Sequence, residues 1–295
     1  MTPNDFKFIA ELLKEQSGFS LTPNQIYLLE SRLGPILRQN NLISLEDLIN
    51  SLRLNDVELR DSVIEAVSIN NTRFFRNKYV FSAIESFLKE LLAEKPLTKK
   101  IKILSAGCAS GQEPVSIAIL LQEMNLPSDV KMDVYALDMS KQIIARAKKG
   151  TYTHYEVQKG LAIRFLLKYF TPDEETWKLK PELLKTIHYQ VHNMMKPLFE
   201  KNFDVVLCRN MLSYMTETAQ KTAITHIENS LEPGGLLIIG ASETLHDNPN
   251  FEKIPSQLGC YRFIGTPTAI KDQNTAWTLI KKPLFKPAVP NRRPS

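Results

Sequence analysis

Two glycines and a carboxylate in the middle of the chain have the spacing of a ligand-binding turn. The apolar run 101–106 predicts a buried parallel strand, which leads through Gly107 and Gly111 into a helical pattern. A strand, glycine turn and helix in this order let a ligand contact main chain at the edge of an α/β sheet. Glu113 lies at the helix start, where a carboxylate also caps main-chain N–H groups.

A second carboxylate indicates what kind of ligand this turn would hold. The apolar run 132–137 ends at Asp138, where an acid can accept hydrogen bonds from both hydroxyls of a ribose. The glycines match neither G-x-G-x-x-G nor a phosphate loop ending in G-K-[ST], and no lysine is placed to meet a triphosphate. Taken alone, the glycine turn is about as compatible with a purely structural strand–helix connection as with a ligand site. Together with Asp138 it favours a nucleoside without a phosphate chain, of which S-adenosylmethionine is the common example.

A dense polar and aromatic segment, Asn70-Asn71-Thr72-Arg73-Phe74-Phe75-Arg76, precedes this region. Its two phenylalanines are predicted to be core anchors. Two arginines beside a buried aromatic pair need a further reason. Arg76 is suited to hold either an acceptor carboxylate or the carboxylate of a methionyl group by a paired, charge-assisted hydrogen bond.

Polar residues also follow a later buried strand, 203–208. Arg209 and Asn210 come directly after it, and Tyr214 follows one helical turn later. Groups just past the carboxyl end of a central strand lie in the ligand crevice of such a sheet. Tyr214 on its own would more simply be a core tyrosine with a satisfied hydroxyl, and Cys208 is interpreted as a packed thiol rather than a nucleophile.

The elements around these residues predict an α/β fold with a mostly parallel sheet. Strands are expected at 101–106, 132–137, 186–192, 203–208, 235–240 and 259–264, and helices at 112–124, 140–149 and 216–231. Helical periodicity dominates residues 3–70, including a helix capped by Ser44, and almost no strand signal precedes Ile101.

The pattern predicts several units along the chain. Residues 1–76 form an N-terminal helical domain, 77–95 a linking helix, and 96–264 the ligand-binding α/β domain. A segment at about 151–185 interrupts the alternation, is too long for an ordinary connection, and is interpreted as an inserted subdomain. Residues 265–295 contain five prolines and are expected to be a disordered tail.

Composition excludes several classes of protein. The chain has 37 basic and 32 acidic residues, but the segment from Gly265 onward holds six basic residues and one acid, which leaves 31 of each before it. A neutral body argues against a nucleic-acid groove. The sequence has no apolar run of membrane-spanning length and no signal-peptide pattern, so no membrane insertion is expected. Its three separated cysteines predict free thiols in a cytoplasmic protein, and its five histidines show no metal-ligand spacing.

Four motifs make the chain similar to a known family, the CheR-type chemotaxis receptor methyltransferases, which are protein-glutamate O-methyltransferases. They are N-x-T-x-F-F-R at Asn70–Arg76, Ser110-Gly-Gln-Glu-Pro114, C-R-N-x-x-x-Y at Cys208–Tyr214, and Gly240-Ala-Ser-Glu243. The resemblance covers nearly the whole chain except the tail. It implies a class I S-adenosylmethionine-dependent methyltransferase fold, which is Rossmann-like, with an N-terminal all-α domain and a small inserted β subdomain.

The resemblance also implies the site. Arg76 and Tyr214 are the expected catalytic residues, with Tyr214 facing the transferred methyl group and no metal involved. The expected S-adenosylmethionine contacts are Asn70, Thr72, Arg76, Gly107, Glu113, Asp138, Asn193, Met194, Arg209 and Asn210. Met194 stands where the family usually has leucine. Gln112 replaces a glutamate and Ala241 a histidine, which puts the roles of those two positions in question.

The implied reaction transfers a methyl group from S-adenosylmethionine to glutamate side chains of chemoreceptors, with S-adenosylhomocysteine as product. The helical domain, with Arg32 and Arg38, is the expected contact for cytoplasmic receptor helices. Docking of a receptor tail peptide is not expected, because the segment around Asp173–Trp177 looks short and lacks a glycine. Two alternatives remain at this point: a non-catalytic S-adenosylmethionine-binding sensor or adaptor, and an RNA or small-molecule methyltransferase on the same fold.

Overall fold

The structure, a computed structural model, describes residues 1–54, 56–67, 71–94, 100–127, 130–245, 248–255 and 257–265. The predicted site residue Asn70 and nearly all of the predicted tail lie outside these residues. Within the described part, no helix combines the length and apolarity needed to cross a membrane.

The N-terminal helices form because clear start and stop signals frame their apolar faces. They are α1 (Pro3–Ser17), α2 (Ile26–Gln39), α3 (Leu45–Arg53) and α4 (Val57–Val67). Thr2 and Asp5 form a capping box at the start of α1, and Ser44 does the same with Asp47 for α3, as predicted for Ser44. Gly18 ends α1 in the left-handed conformation. The buried faces of these helices share one apolar core.

The remaining described part of the chain contains seven α-helices and ten strands. The helices are α5 (Lys78–Glu94), α6 (Gln112–Glu123), α7 (Lys141–Lys149), α8 (His154–Gln158), α9 (Ile163–Tyr169), α10 (Pro181–Leu184) and α11 (Glu217–Glu228). The strands are β1 (Lys100–Ala106), β2 (Lys131–Asp138), β3 (Thr151–Thr153), β4 (Phe170–Asp173), β5 (Thr176–Leu179), β6 (Ile187–Val191), β7 (Phe203–Cys208), β8 (Leu231–Ile239), β9 (Phe251–Lys253) and β10 (Cys260–Phe263).

Seven strands form the main sheet in the order β6-β2-β1-β7-β8-β10-β9. The first five are mutually parallel, and β10 is antiparallel to both β8 and β9. The strand order reverses between β1 and β7, so the carboxyl ends of these strands open a crevice between them. This is the mostly parallel, Rossmann-like sheet that the sequence predicts.

Both faces of the main sheet are buried, which explains why its central strands are mostly apolar. In β1, Ile101 and Ile103 pack in the core shared with α5, α6 and α7. Leu104 and Ala106 point to the opposite face and pack in the core shared with α11.

The segment between α7 and β6 contains a second, antiparallel sheet of order β3-β5-β4, together with α8, α9 and α10. It is attached to the main body by aromatic packing. Phe170 of β4 lies edge-on to Phe74, with ring centroids 5.9 Å apart, and Tyr152 of β3 lies edge-on to Phe74 at 5.0 Å.

Two details of the main sheet differ from the sequence prediction. Strand β8 begins at Leu231 rather than near 235. The pairing with β7 shifts register between Phe203 and Val205, and Gly234 is left-handed, so the turn-forming residues are accommodated as an irregularity inside the strand. Strand β9 was not predicted. It is three residues long and exists through its pairing with β10, so it has no local pattern of its own.

Candidate functional site

One cleft lies between the carboxyl edge of the main sheet and the N-terminal helices. All the predicted site residues that the structure describes line it: Thr72, Arg76, Gly107, Glu113, Asp138, Asn193, Met194, Arg209, Asn210 and Tyr214. They come from separate segments of the chain, so their meeting is a product of the fold. The remaining predicted contact, Asn70, lies outside the described residues.

The glycine turn leaves the main chain open to the cleft. The N–H of Gly107 donates to the carbonyl of Leu137 at 2.8 Å, which bends the turn over the end of β2. Gly107 has a φ of 76°, in the left-handed region where side chains are disfavoured. A Cβ placed there would meet only the side chain of Met211, at ordinary contact distance. Backbone conformation therefore accounts for glycine here, and its missing side chain exposes the main chain to a ligand.

Asp138 is held at the end of β2 by main-chain hydrogen bonds. One carboxylate oxygen accepts the N–H of Ala109 at 3.0 Å, and the other accepts that of Ser140 at 3.0 Å. Only 9% of the residue is exposed. Burial raises the pKa of Asp138, while the hydrogen bonds from Ser140 and Ala109 oppose that shift. The carboxylate is thus buried and fixed in orientation, at the sheet edge where it lines the cleft.

A buried ion pair forms the opposite part of the cleft. Arg209 donates to Glu113 at 2.8 Å, and the other oxygen of Glu113 accepts the Ser105 hydroxyl at 2.8 Å. Arg209 also donates to the side-chain oxygen of Asn77 at 2.7 Å and to the carbonyl of Arg76 at 3.1 Å. Its Nε is buried without a hydrogen-bond partner among the described residues. The pair connects β7, α6 and the segment before α5.

This part of the cleft carries an excess of positive charge. Arg76 donates to the carbonyl of Asn71 at 2.9 Å. Burial lowers the pKa of Arg76, and the nearby positive charges of Arg209 and Arg73 lower it further. Arg73 is exposed, lines the cleft, and has no ion-pair or hydrogen-bond partner within the described part of the chain. Three guanidinium groups near the single carboxylate of Glu113 favour an anionic ligand.

Aromatic packing fixes the arginine-bearing segment before α5. Phe74 is fully buried, as the sequence predicts for a core anchor. Phe75 is partly buried, stacks on Phe165 with ring centroids 5.4 Å apart, and donates its N–H to the hydroxyl of Ser116 at 2.9 Å. Phe75 therefore anchors the segment to α9 and α6, and Phe74 anchors it to the inserted sheet. The neighbouring Arg73 and Arg76 line the cleft.

The helical domain supplies the other wall of the cleft. Asn193 donates from its side chain to the carbonyl of Gln16 at 2.6 Å, and the N–H of Ser20 donates to the carbonyl of Tyr214 at 2.8 Å. No sequence pattern indicates this wall, which consists of Ser17, Phe19, Ser20, Leu21, Gln25, Leu28 and Val67. Nothing local could have revealed these residues, because they face a ligand only through the docking of one domain on another.

The structure also places four residues whose roles the sequence leaves open. Tyr214 is 37% exposed and lines the cleft, so it is not a core tyrosine. Cys208 is a packed thiol, as predicted, and burial raises its pKa well above the usual value. Gln112 is buried and donates to Glu156 at 3.2 Å rather than lining the cleft. Ala241 is exposed and also lies outside the cleft lining.

Comparison with known families gives two matches. The family described as "CheR methyltransferase, SAM binding domain" matches residues 70–260. The family described as "CheR methyltransferase, all-alpha domain" matches residues 4–68.

Individual relatives agree with these matches. Chemotaxis protein methyltransferase 1 of Pseudomonas aeruginosa is 29% identical over 252 residues, which cover 83% of this chain and 92% of the relative. Chemotaxis protein methyltransferase Cher2 of Pseudomonas putida is 30% identical over 254 residues, with the same coverage of both chains. Among solved structures, S-adenosylmethionine-bound CalS10, an amino pentose methyltransferase from Micromonospora echinaspora, superposes with a TM-score of 0.34. It is 14% identical and covers 54% of this chain and 48% of that chain.

Proposed function

Because the chain belongs to the CheR methyltransferase family, we propose that it methylates glutamate side chains of chemoreceptors, using S-adenosylmethionine as the methyl donor. It is a class I S-adenosylmethionine-dependent methyltransferase with an all-α N-terminal domain. The products are glutamate methyl esters and S-adenosylhomocysteine. One observation supports the site most strongly: the described candidate residues, far apart in sequence, all line one cleft.

The residues of the cleft fit S-adenosylmethionine at both of its polar ends. The carboxylate oxygens of Asp138 each accept one of the N–H groups of Ala109 and Ser140 and keep lone pairs for ribose hydroxyls. The buried Met194 supplies apolar surface for the base. At the other end, Arg76 and Arg209 provide the positive charge that the carboxylate of the methionyl group requires.

Bound S-adenosylmethionine supplies a methyl group on a positively charged sulfur. An acceptor glutamate, with a reference pKa of about 4.3, is already ionised at pH 7, so the chain needs no general base to activate it. The acceptor oxygen bonds to the methyl carbon while the electron pair of the carbon–sulfur bond stays on sulfur. The task of the protein is therefore to align the two groups and exclude water.

We assign this alignment to Arg76 and Tyr214. Arg76 would hold a carboxylate by a charge-assisted hydrogen bond, and the exposed edge of Tyr214 would face the methyl group. Arg73 supports an anionic acceptor, because it places a further positive charge on the cleft lining without an ion-pair partner among the described residues.

The proposal also includes how the receptor is contacted. Arg38 is exposed on α2 and suited to an acidic receptor helix. Arg32 is a weaker candidate, since it donates to the carbonyl of Val67 at 2.7 Å and so helps hold α2 to α4. We propose that a receptor tail peptide is not used, that the enzyme acts in the cytoplasm, and that the domain limits are those expected from sequence.

The test is methylation of receptor membranes with labelled S-adenosylmethionine, followed by mass spectrometry of receptor peptides. We expect glutamate methyl esters with the wild-type protein. Arg76→Ala should lower kcat/KM by roughly 10- to 100-fold, which corresponds to the loss of one hydrogen bond to a charged group. Arg262→Ala is the matched control, because Arg262 pairs with Glu90 outside the cleft.

One outcome would contradict the proposed reaction, and another would contradict only the role of Arg76. Label bound but never transferred to receptor would indicate a sensor or adaptor. Equal activity of the Arg76→Ala and Arg262→Ala variants would remove Arg76 from the site while leaving the reaction in place.

A further inference from the structure

A buried carboxylate outside the cleft lining supports the loop that follows β7. Glu243 lies just after β8 and is 8% exposed. One of its oxygens accepts the main-chain N–H groups of Gly240 at 2.6 Å and Asn210 at 2.9 Å. Its other oxygen accepts the N–H of Ser213 at 3.0 Å. A side chain from one loop thus engages two main-chain donors of the neighbouring loop.

The two donors on this loop, the N–H groups of Asn210 and Ser213, belong to or adjoin residues that line the cleft. Asn210 has a φ of 59°, a left-handed conformation that asparagine tolerates better than most residues and that turns the chain sharply after β7. Ser213 immediately precedes Tyr214, within the short 3-10 helix Leu212–Tyr214. The carboxylate of Glu243 therefore determines where the loop begins its turn and where Tyr214 is presented.

The spacing Gly-x-Ser-Glu is explained by this arrangement. A Cβ at Gly240 would lie 2.6 Å from the Oε2 of Glu243 and 3.1 Å from the main-chain N of Asn210. A side chain at position 240 would therefore displace either the carboxylate or the loop that it holds. Glycine there lets Glu243 fold back under the loop.

We propose that Glu243 is a positioning residue for methyl transfer, acting through Asn210 and Tyr214. It does not line the cleft itself. The expected effect on kcat rests on the proposed function. The placement of Asn210 by Glu243 can be tested by cofactor binding alone.

The first variant is Glu243→Gln, which keeps the shape but replaces one acceptor oxygen with an NH₂ donor. It cannot accept from both Asn210 and Ser213. A misplacement of about 1 Å in an active site costs roughly 100-fold in rate, so we expect kcat to fall about 10- to 100-fold. We also expect a several-fold weaker affinity for S-adenosylhomocysteine by calorimetry. Gly240→Ala keeps the charge but crowds the carboxylate, and it should reproduce both losses.

The matched control is Glu228→Gln. Glu228 is also a buried carboxylate, 9% exposed, and it accepts hydrogen bonds from the side chains of Asn248 and Asn250 away from the cleft. We expect this variant to lose thermal stability without losing kcat at temperatures well below unfolding.

A thermodynamic cycle with Tyr214→Phe separates positioning from general weakening of the fold. If Glu243 acts through Tyr214, the fractional loss of kcat caused by Glu243→Gln should shrink in the Tyr214→Phe background. An unchanged fractional loss, or Glu243→Gln activity and cofactor affinity equal to those of Glu228→Gln, would overturn the inference. If the wild-type protein methylates no receptor, the proposed function fails, while the calorimetric comparison still decides whether Glu243 places Asn210.

Discussion

At the scale of single residues, the cleft combines ionisable groups whose pKa values are shifted by burial. Asp138 is held by main-chain donors on both oxygens and is buried enough that its pKa is raised. Arg76 experiences the opposite change, because burial and neighbouring positive charges lower its pKa. Both shifts are in the direction that a ligand with a hydroxyl-bearing sugar at one end and a carboxylate at the other would relieve.

The raised pKa of Asp138 predicts how cofactor binding depends on pH. Because the pKa is raised, Asp138 takes up a proton at a higher pH than an exposed aspartate, and the protonated form has lost acceptor capacity. We therefore expect affinity for S-adenosylhomocysteine to fall as the pH is lowered, beginning at a higher pH than an aspartate of ordinary pKa would produce. Asp138→Asn should bind roughly 10- to 100-fold more weakly throughout and show a flatter profile. Calorimetry at a series of pH values measures both, and a wild-type profile as flat as that of Asp138→Asn would contradict the assignment.

At the scale of elements, the turn before α6 is linked to the inserted subdomain by a buried amide. Gln112 is 2% exposed and donates to the carboxylate of Glu156 on α8, which Arg146 of α7 also engages at 2.6 Å. The hydroxyl of Ser110 donates to the amide oxygen of Gln112 at 2.8 Å. The departure from the family pattern at this position therefore suits its neighbour, since an amide can donate to Glu156 and a carboxylate cannot.

This arrangement predicts that Gln112→Glu, although it restores the family residue, destabilises the protein. Two carboxylates would face each other and a buried hydrogen bond would be lost, at a cost of about 1–3 kcal/mol. Urea unfolding followed by circular dichroism measures the change. The double variant Gln112→Glu with Glu156→Gln restores a donor and should recover part of that stability. A double variant no more stable than the single one would show that this contact is not the cause.

At the scale of the whole molecule, the cleft is closed by contact between the helical domain and the sheet. Phe19 forms an isolated antiparallel bridge with Met215, and the N–H of Thr216 donates to the carbonyl of Gly18 at 2.9 Å. Gly18 has a φ of 74°, and a Cβ there would lie 2.5 Å from the Cβ of Ala219 on α11. The end of α1 can therefore lie against α11 only with glycine at position 18.

We expect Gly18→Ala to weaken both stability and cofactor binding. The left-handed conformation and the clash together should cost about 1–3 kcal/mol, and moving the helical domain outward displaces the Phe19 wall of the cleft. Gly34→Ala in α2 is the matched control, since the nearest atom to a Cβ there is the Arg38 side chain at 3.6 Å. Thermal unfolding and calorimetry with S-adenosylhomocysteine compare the two variants. Equal affinities would mean that domain contact at Gly18 does not shape the site.

Local sequence pattern was sufficient to predict many of the strands and helices and the family. Strand β1 and the glycine turn were predictable because a strand buried on both faces is mostly apolar, and its turn needs a left-handed residue at Gly107. The motifs around Arg76 and Tyr214 indicated the family before any fold was known, and the family matches confirm it. The three-residue β9 gave no such signal, because so short a strand cannot show an alternating pattern, although its partner β10 follows soon after it in the chain.

The sequence by itself determined the type of sheet, the family, and the set of candidate site residues, because these depend on residue type and short-range spacing. The tertiary structure alone decided that the helical domain walls the cleft, that Gln112 faces Glu156 instead of the cleft, and that Glu243 supports the loop carrying Asn210. The physical reason is that such contacts join residues far apart in the chain. Their geometry depends on how whole elements pack, and no local periodicity encodes it.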